Sequence, residues 1–203
     1  MTLVDALGSI VRMSADVFET SDAAARLSIS RAHASTLMAR LASAGHVIRL
    51  RRGLWALPDR VGRLALPGHL TAPLPSYVSL QSALYIHGMI SQVPAITYAV
   101  SLARARQYTT PLGVVSIHHV APGFFFGFAH RDSTGECIAT PEKALVDFLY
   151  LAPARTGLFR ALPELELPRS FSARRAHGML DRIESPSRRE MVARALTRLI
   201  PSL

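Results

Sequence analysis

The chain has a single cysteine, Cys137, among its 203 residues. One thiol excludes a disulfide within the chain and a zinc site built from cysteines. Apolar runs are short as well, since segments such as AITYAV and FFFGF fall far below the roughly 18 residues that a membrane helix needs. These shortages favour a soluble protein of the reducing cytoplasm, with no membrane partner.

A secretory signal is also lacking at the N-terminus. The first residues, MTLVDALGSIVRM, include the acidic Asp5 and have no basic segment leading into an apolar core. We therefore expect the chain to stay in the cytoplasm. Its length allows one large domain or two small ones.

Lysine is scarce too, because Lys143 is the only one and every other basic residue is arginine. The net charge is +9, and the excess lies at the two ends. Residues 1–70 carry nine basic and five acidic groups, and residues 152–203 carry ten and five. Arginine suits contacts to phosphate and guanine. Charge alone does not separate a nucleic-acid partner from an arginine-rich genome composition.

Residues 1–58 have the pattern of a winged helix-turn-helix domain. An amphipathic helix over 3–13 precedes a short helix over 21–27, a tight turn and a longer helix over 31–44. Ser30 is the natural N-cap of the longer helix and Gly45 its natural end. Short strands over 47–50 and 54–57 then enclose a basic tip, which predicts a hairpin wing with Trp55 packed at its base.

The second helix of such a motif fits the major groove of DNA, so its exposed residues can meet bases and phosphates. Basic residues at the wing tip can lie along the DNA backbone. The candidate DNA contacts are Arg31, His33, Ser35, Thr36, Arg40, Arg51 and Arg52. The alternative is a winged helix used only for protein contacts, and His33 taken alone is typical of a plain surface residue.

A connector rich in proline and glycine, residues 59–75, follows, in which 61–66 could form an extended piece. Residues 76–203 then predict a mixed α/β domain, so the fold class is α+β. The predicted elements are a helix over 77–89, strands over 95–101, 114–120 and 124–129, a helix after Thr140, and Arg-rich helices over 172–183 and 187–199. Arg174, Arg175, Arg188 and Arg189 are candidates for a second basic surface, or else lie on solvated helix faces.

Four segments of the chain resemble known protein families. LSISRAHASTLMARLASAGHV resembles bacterial winged helix-turn-helix proteins, and YVSLQSALYIHGMI, AITYAVS and ATPEKALVDFLYL, in that order, resemble the C-terminal domain of AbiEi-type antitoxins. The resemblance implies the antitoxin of an AbiE-like type IV toxin-antitoxin system. Such proteins repress their own operon at inverted repeats, and counter a nucleotidyltransferase toxin without a stable complex. The first alternative is a stand-alone winged-helix regulator without a toxin, and the less favoured one is a nucleic-acid-processing enzyme.

Enzyme patterns receive little support from the sequence. Ser82 and His87 lie five residues apart, so on one helix they point about 140° away from each other and cannot form a dyad. Lys143 directly follows Glu142, whereas nucleases with an Asp…Glu-x-Lys pattern need one residue between them. We expect no catalytic residues, no cofactor and no metal.

Overall fold

The computed structural model describes residues 2–131, 135–152 and 165–200. Its fold is α+β, as the sequence predicts, with a winged helix-turn-helix at the N-terminus and a mixed α/β part after it. The N-terminal elements are α1 (Leu3–Val11), β1 (Val17–Glu19), α2 (Thr20–Leu27), α3 (Arg31–Ser43), β2 (Ile48–Arg51) and β3 (Leu54–Ala56).

Local signals explain where the first helices begin and end. Ser30 caps α3, since its hydroxyl accepts a hydrogen bond from the backbone N–H of His33. Ser28 closes α2 in the left-handed conformation, with a φ of 53°, at the position where the turn would favour glycine. The wing forms a three-stranded antiparallel sheet of order β1-β3-β2. Strand β1 was not predicted, because three residues are too few to show an alternating pattern.

The second part is built on a six-stranded mixed sheet of order β6-β7-β5-β4-β9-β8. Its strands are β4 (Ser76–Val78), β5 (Ile96–Ser101), β6 (Arg106–Thr110), β7 (Gly113–His119), β8 (Phe128–Arg131) and β9 (Glu136–Ala139). The helices are α4 (Leu66–Thr71), α5 (Leu80–Ile86), α6 (Pro141–Leu151), α7 (Ala173–Met179) and α8 (Pro186–Leu199). The sheet pairs β5 with β7 and β4 with β9 in parallel, and its other neighbours are antiparallel.

Both faces of this sheet are covered. Tyr98 and Val100 of β5 face the main core, which α5, α6, α7 and α8 complete. Ala99, between them, faces the other way into a second cluster. That cluster includes Leu50 and Leu54 of the wing, so the winged helix packs on the face of the sheet opposite to α5–α8.

Two predicted elements of the second domain are wrong in part. The helix expected over 77–89 begins only at Leu80, because Tyr77 and Val78 pair with Val100 and Ala99 of β5. The strand expected over 124–129 is a 3-10 turn at Pro122–Phe124, followed by β8. Sheet hydrogen bonds supplied by distant residues decide both outcomes.

The connector is structured and packed. A 3-10 turn at Pro58–Arg60 and helix α4 lie within it, and residues 63–65 of the segment expected to be extended form a turn. Leu66 and Leu70 of α4 are buried in the same cluster as the wing residue Leu54. Hydrophobic contacts therefore run across residues 59–75, and the domain limits stay a prediction.

Four polar side chains meet in the main core. Asp147 accepts hydrogen bonds from the hydroxyls of Tyr77 (3.0 Å) and Ser79 (2.7 Å) and from the ammonium group of Lys143 (2.6 Å). Lys143 also donates to the carbonyl of Phe124 at 3.0 Å. Burial raises the pKa of Asp147 and of Tyr77 and lowers the pKa of Lys143. This network joins β4, α5 and α6 in the interior.

Ser82 and His87 have separate structural partners. The Ser82 hydroxyl donates to the carbonyl of Ile96 (3.2 Å) and accepts from the backbone N–H of Tyr98 (2.9 Å). Nε2 of His87 lies 2.7 Å from the carbonyl oxygen of Ala139. Ser82 thus joins α5 to β5, and His87 joins the end of α5 to β9.

The helices that the structure describes include none with both the length and the apolar character needed to cross a membrane.

Candidate nucleic-acid interface

Helix α3 has one buried and one exposed face. The buried face carries Ala34, Leu37, Met38 and Leu41. The five residues of α3 predicted to contact DNA are all exposed: Arg31, His33, Ser35, Thr36 and Arg40. Because none of them is needed for the core, the whole outer face is open to a partner.

A groove of about 600 Å³ lies between α3 and the wing. It brings Arg31 and Ser35 of the helix together with Arg52 of the hairpin tip. His33, Thr36 and Arg40 do not line the groove and lie farther round the exposed face of α3. The predicted residues therefore divide into a groove set and an outer set on the same helix.

Residues 7–58 match the family of AbiEi antitoxin transcriptional regulators. The match runs from α1 through the wing and covers about a quarter of the chain. It confirms the family resemblance over these residues, which we call the AbiEi domain. No curated protein matches the chain.

Arg49 also lines the groove of the AbiEi domain, although it was not among the predicted contacts. Along β2 the side chains alternate, so Ile48 and Leu50 pack against the second cluster while Arg49 faces the opposite way. Its guanidinium lies 5.7 Å from the ring centroid of Trp55, the residue paired with it across the hairpin. The alternation in the sequence IRLR was the signal that could have identified Arg49.

Trp55 holds the wing in position, as the sequence predicts for a packing residue. Its side chain is buried, and its indole N–H donates to the hydroxyl of Thr20 at 2.9 Å. The Thr20 hydroxyl in turn donates to the carbonyl of Gly53 at 3.3 Å, and the backbone N–H of Thr20 donates to the same carbonyl at 2.9 Å. The hairpin tip is thereby attached to the start of α2.

The two tip arginines have different environments. Arg52 is exposed, whereas Arg51 is half-buried. Nε of Arg51 is buried and has no hydrogen-bond partner within the described ranges. Arg52 is thus the more accessible of the two for a contact with DNA.

Acidic residues are nearly absent from this part of the chain. Asp59 is the only one between Asp22 and Asp132. Within α3 and the hairpin, every formal charge is therefore positive. The charged residues that line the groove are all arginines, so its lining carries a net positive charge.

The four arginines suggested as a second basic surface differ in their contacts. Arg175 pairs with the buried Glu142 at 2.9 Å, and Arg188 lies 4.9 Å from the ring centroid of Tyr150. Both Nε and Nη2 of Arg189 donate to the carbonyl of Ile183. Arg174 is exposed and pairs with no residue of the described ranges. Three of the four therefore have roles within the fold itself.

In residues 2–131, 135–152 and 165–200, no group of three or more histidine, cysteine, aspartate or glutamate side chains could hold a metal ion. His118 and His119, adjacent on β7, have separate partners, the hydroxyl of Ser116 and the carbonyl of Ala103.

Proposed function

We propose that the protein is a DNA-binding transcriptional repressor and the antitoxin of an AbiE-like type IV toxin-antitoxin system. The observation that carries the proposal is the groove between α3 and the wing, lined by Arg31, Arg49 and Arg52. A groove that joins a recognition helix to a basic hairpin suits a phosphate backbone, because several arginines act on neighbouring phosphates.

The proposed binding mode places α3 in the major groove of duplex DNA. A helix about 10–12 Å across matches the major groove width of about 12 Å. Arg31 and Ser35, in the N-terminal half of α3, would then meet base edges and phosphates, while Arg49 and Arg52 would hold the flanking backbone. His33, Thr36 and Arg40 would extend the contact along the groove, and Arg51 would add a further contact at the tip.

The support for the proposed regulatory role is the family match of residues 7–58. An AbiEi-type protein would bind inverted repeats at its own promoter and counter a nucleotidyltransferase toxin without a stable complex. The support for the antitoxin role in the second domain is the order of its three family-like segments. The protein would act in the cytoplasm by binding, without catalysis or a cofactor.

A stand-alone winged-helix regulator is the second candidate. The observation in its favour is that the family match ends at residue 58 and does not include the six-stranded sheet. Such a protein would bind DNA in the same way but would have no cognate toxin. A neighbouring gene for a nucleotidyltransferase, and growth rescue when both genes are expressed, would favour the antitoxin.

DNA binding is tested by fluorescence anisotropy with a labelled duplex from upstream of the protein's own reading frame. We expect binding at low salt, weakened for all sequences by Arg52→Ala and altered in sequence preference by Arg31→Ala. Arg198→Ala, an exposed arginine on α8, is the matched control and should bind as the wild type does. Absence of binding by the intact protein at low salt would overturn the proposal.

A further inference from the structure

The edge of the six-stranded sheet meets the wing. Strand β6 is the edge strand, and β2 of the wing lies next to it. Tyr108 of β6 packs against the hydrophobic cluster that contains Leu50 and Leu54 of the wing. A buried core therefore holds β6 beside the hairpin that carries Arg49 and Arg52.

Two arginines lie at the start of this edge strand. Arg106 is on the same face of β6 as Tyr108, two residues away, and its guanidinium lies 5.0 Å from the tyrosine ring centroid. Arg104 lies just before the strand, and both arginines are exposed. The guanidinium of Arg106 thus lies over an aromatic ring while the residue stays exposed to solvent.

The loop that carries Arg104 is held in place by hydrogen bonds. The backbone N–H of Ala103 donates to the Ser101 hydroxyl at 2.9 Å, and the Ala103 carbonyl oxygen lies 3.2 Å from Nδ1 of His119. The Ser101 hydroxyl itself donates to the carbonyl of Pro75 at 2.7 Å. A loop that is already ordered loses less conformational freedom when it binds a partner.

Neither Arg104 nor Arg106 forms an ion pair with a residue that the structure describes. The chain has no acidic residue between Asp59 and Asp132, so the strands next to them in the sheet supply no carboxylate. Their charge is available to an anionic partner. An arginine on an edge strand also discourages pairing between sheets of two copies, and Arg131 on β8, the opposite edge, serves as the comparison.

We propose that Arg104 and Arg106, which we call the β6 patch, bind the phosphate backbone of the same duplex that α3 and the wing engage. B-DNA carries one negative charge per about 1.7 Å of helix axis, so a duplex that extends past the wing presents phosphates to strand β6. The patch would hold the DNA on the flank of the hairpin, beyond the AbiEi domain. This inference rests on the proposed DNA binding.

The test compares the full-length wild type with the double variant Arg104→Gln/Arg106→Gln. Each protein is titrated into the labelled upstream duplex over a series of salt concentrations. Loss of two phosphate contacts should reduce the magnitude of the slope of log K against log salt by about two. It should also weaken binding by roughly tenfold or more at about 0.1 M salt. Arg131→Gln, which removes the same charge from the opposite edge, should leave the slope unchanged.

Folding is checked by circular dichroism and thermal unfolding. Because Arg106 contacts Tyr108, the single variant Arg104→Gln is included, as it leaves that contact in place. It should lower the slope by about one. When the salt titrations are repeated with a duplex shortened on the wing side, the wild type and the double variant should have the same slope and affinity.

Three results would overturn the inference. The double variant could bind DNA with the wild-type slope and affinity while Arg31→Ala binds more weakly. This result would exclude the β6 patch and leave the proposed DNA binding by α3 in place. The loss of DNA affinity per charge removed could be the same for the double variant as for Arg131→Gln, which would indicate an effect of net charge rather than a phosphate contact. Unchanged DNA binding with loss of toxin neutralisation in cells would assign the patch to a protein partner. If the wild type itself fails to bind, the proposed function fails first.

Discussion

The ammonium nitrogen of Lys143 lies 2.6 Å from Oδ1 of Asp147, one turn farther along α6, and both side chains are fully buried. The only lysine of the chain is therefore an interior residue rather than a surface charge. An ion pair of this kind is costly to desolvate and costly to break, because each charge left alone has no solvent to stabilise it.

We expect Lys143→Met to destabilise the fold by about 3–5 kcal/mol, since it leaves the Asp147 carboxylate without its cation. The double variant Lys143→Met/Asp147→Asn removes both charges and keeps an acceptor for Tyr77 and Ser79. It should be less destabilised than the sum of the two single variants, by about 1 kcal/mol or more. Urea unfolding of the four proteins measures this, and additive effects would contradict the coupling.

Gly127 faces the stem of the same lysine. Its φ is +76°, and a Cβ atom there would lie 3.0 Å from Cγ of Lys143. Gly127→Ala should therefore lower the free energy of unfolding by about 1–3 kcal/mol. The matched control is Gly68→Ala in α4, where a Cβ would have no neighbour within 4 Å, and it should be neutral or slightly stabilising. Equal effects of the two substitutions in thermal unfolding would argue against this account.

Leu54 of the wing is buried against Val115 and Ile117 of the sheet. Leu54→Ala should cost about 2–5 kcal/mol through lost burial and the cavity left behind. Because the core is shared, the winged helix and the sheet should unfold together, and the substitution should shift one common transition. Calorimetry checks this. Two separate transitions, with only the first one shifted, would mean that the contact does not couple the two parts.

We expect His69 to make the free energy of unfolding depend on pH. Burial lowers the pKa of its imidazole below the ordinary value of 6.5, while the carboxylate of Asp16 opposes the shift. The unfolded chain therefore binds the proton more readily, so stability should fall as the pH drops below about 6.5. His69→Gln should make this fall smaller, measured as the free energy of unfolding between about pH 7.5 and pH 5.5. An unchanged pH dependence would exclude His69 as its source.

Arg49 should contribute to DNA binding as much as the tip residue Arg52. Both line the groove, so Arg49→Ala should lower the salt slope by about one and weaken binding to all sequences alike. Anisotropy titrations with specific and unrelated duplexes measure both quantities. Arg49→Lys keeps the charge and should restore most of the slope. Wild-type binding by Arg49→Ala would remove this residue from the interface.

The sequence alone identified the winged helix, because its signals are local. The Ser30 cap, the apolar face of α3 and the glycine at the hairpin tip lie within a few residues of the elements they define. The exposed residues of α3 could be named in advance for the same reason, since a helical period separates the core face from the outer face.

Contacts between distant residues could not be derived in this way. Tyr77 and Val78 read as the start of a helix, and only pairing with β5, about twenty residues later, makes them a strand. Part of the proline-rich connector forms the packed helix α4, because the wing and the sheet both bury residues against it. Long-range pairing of this kind overrides local preference.

The features of the candidate site also divide into those set by local sequence and those set by tertiary contacts. Composition and helical period determined that α3 and the hairpin are basic, and which residues of α3 are exposed. Only the tertiary structure decided that Arg49 joins the groove, that Lys143 and Asp147 form an interior pair, and that β6 lies beside the wing. The physical reason is that charge and periodicity are properties of neighbouring residues, whereas burial and ion pairing depend on which distant segments the core brings together.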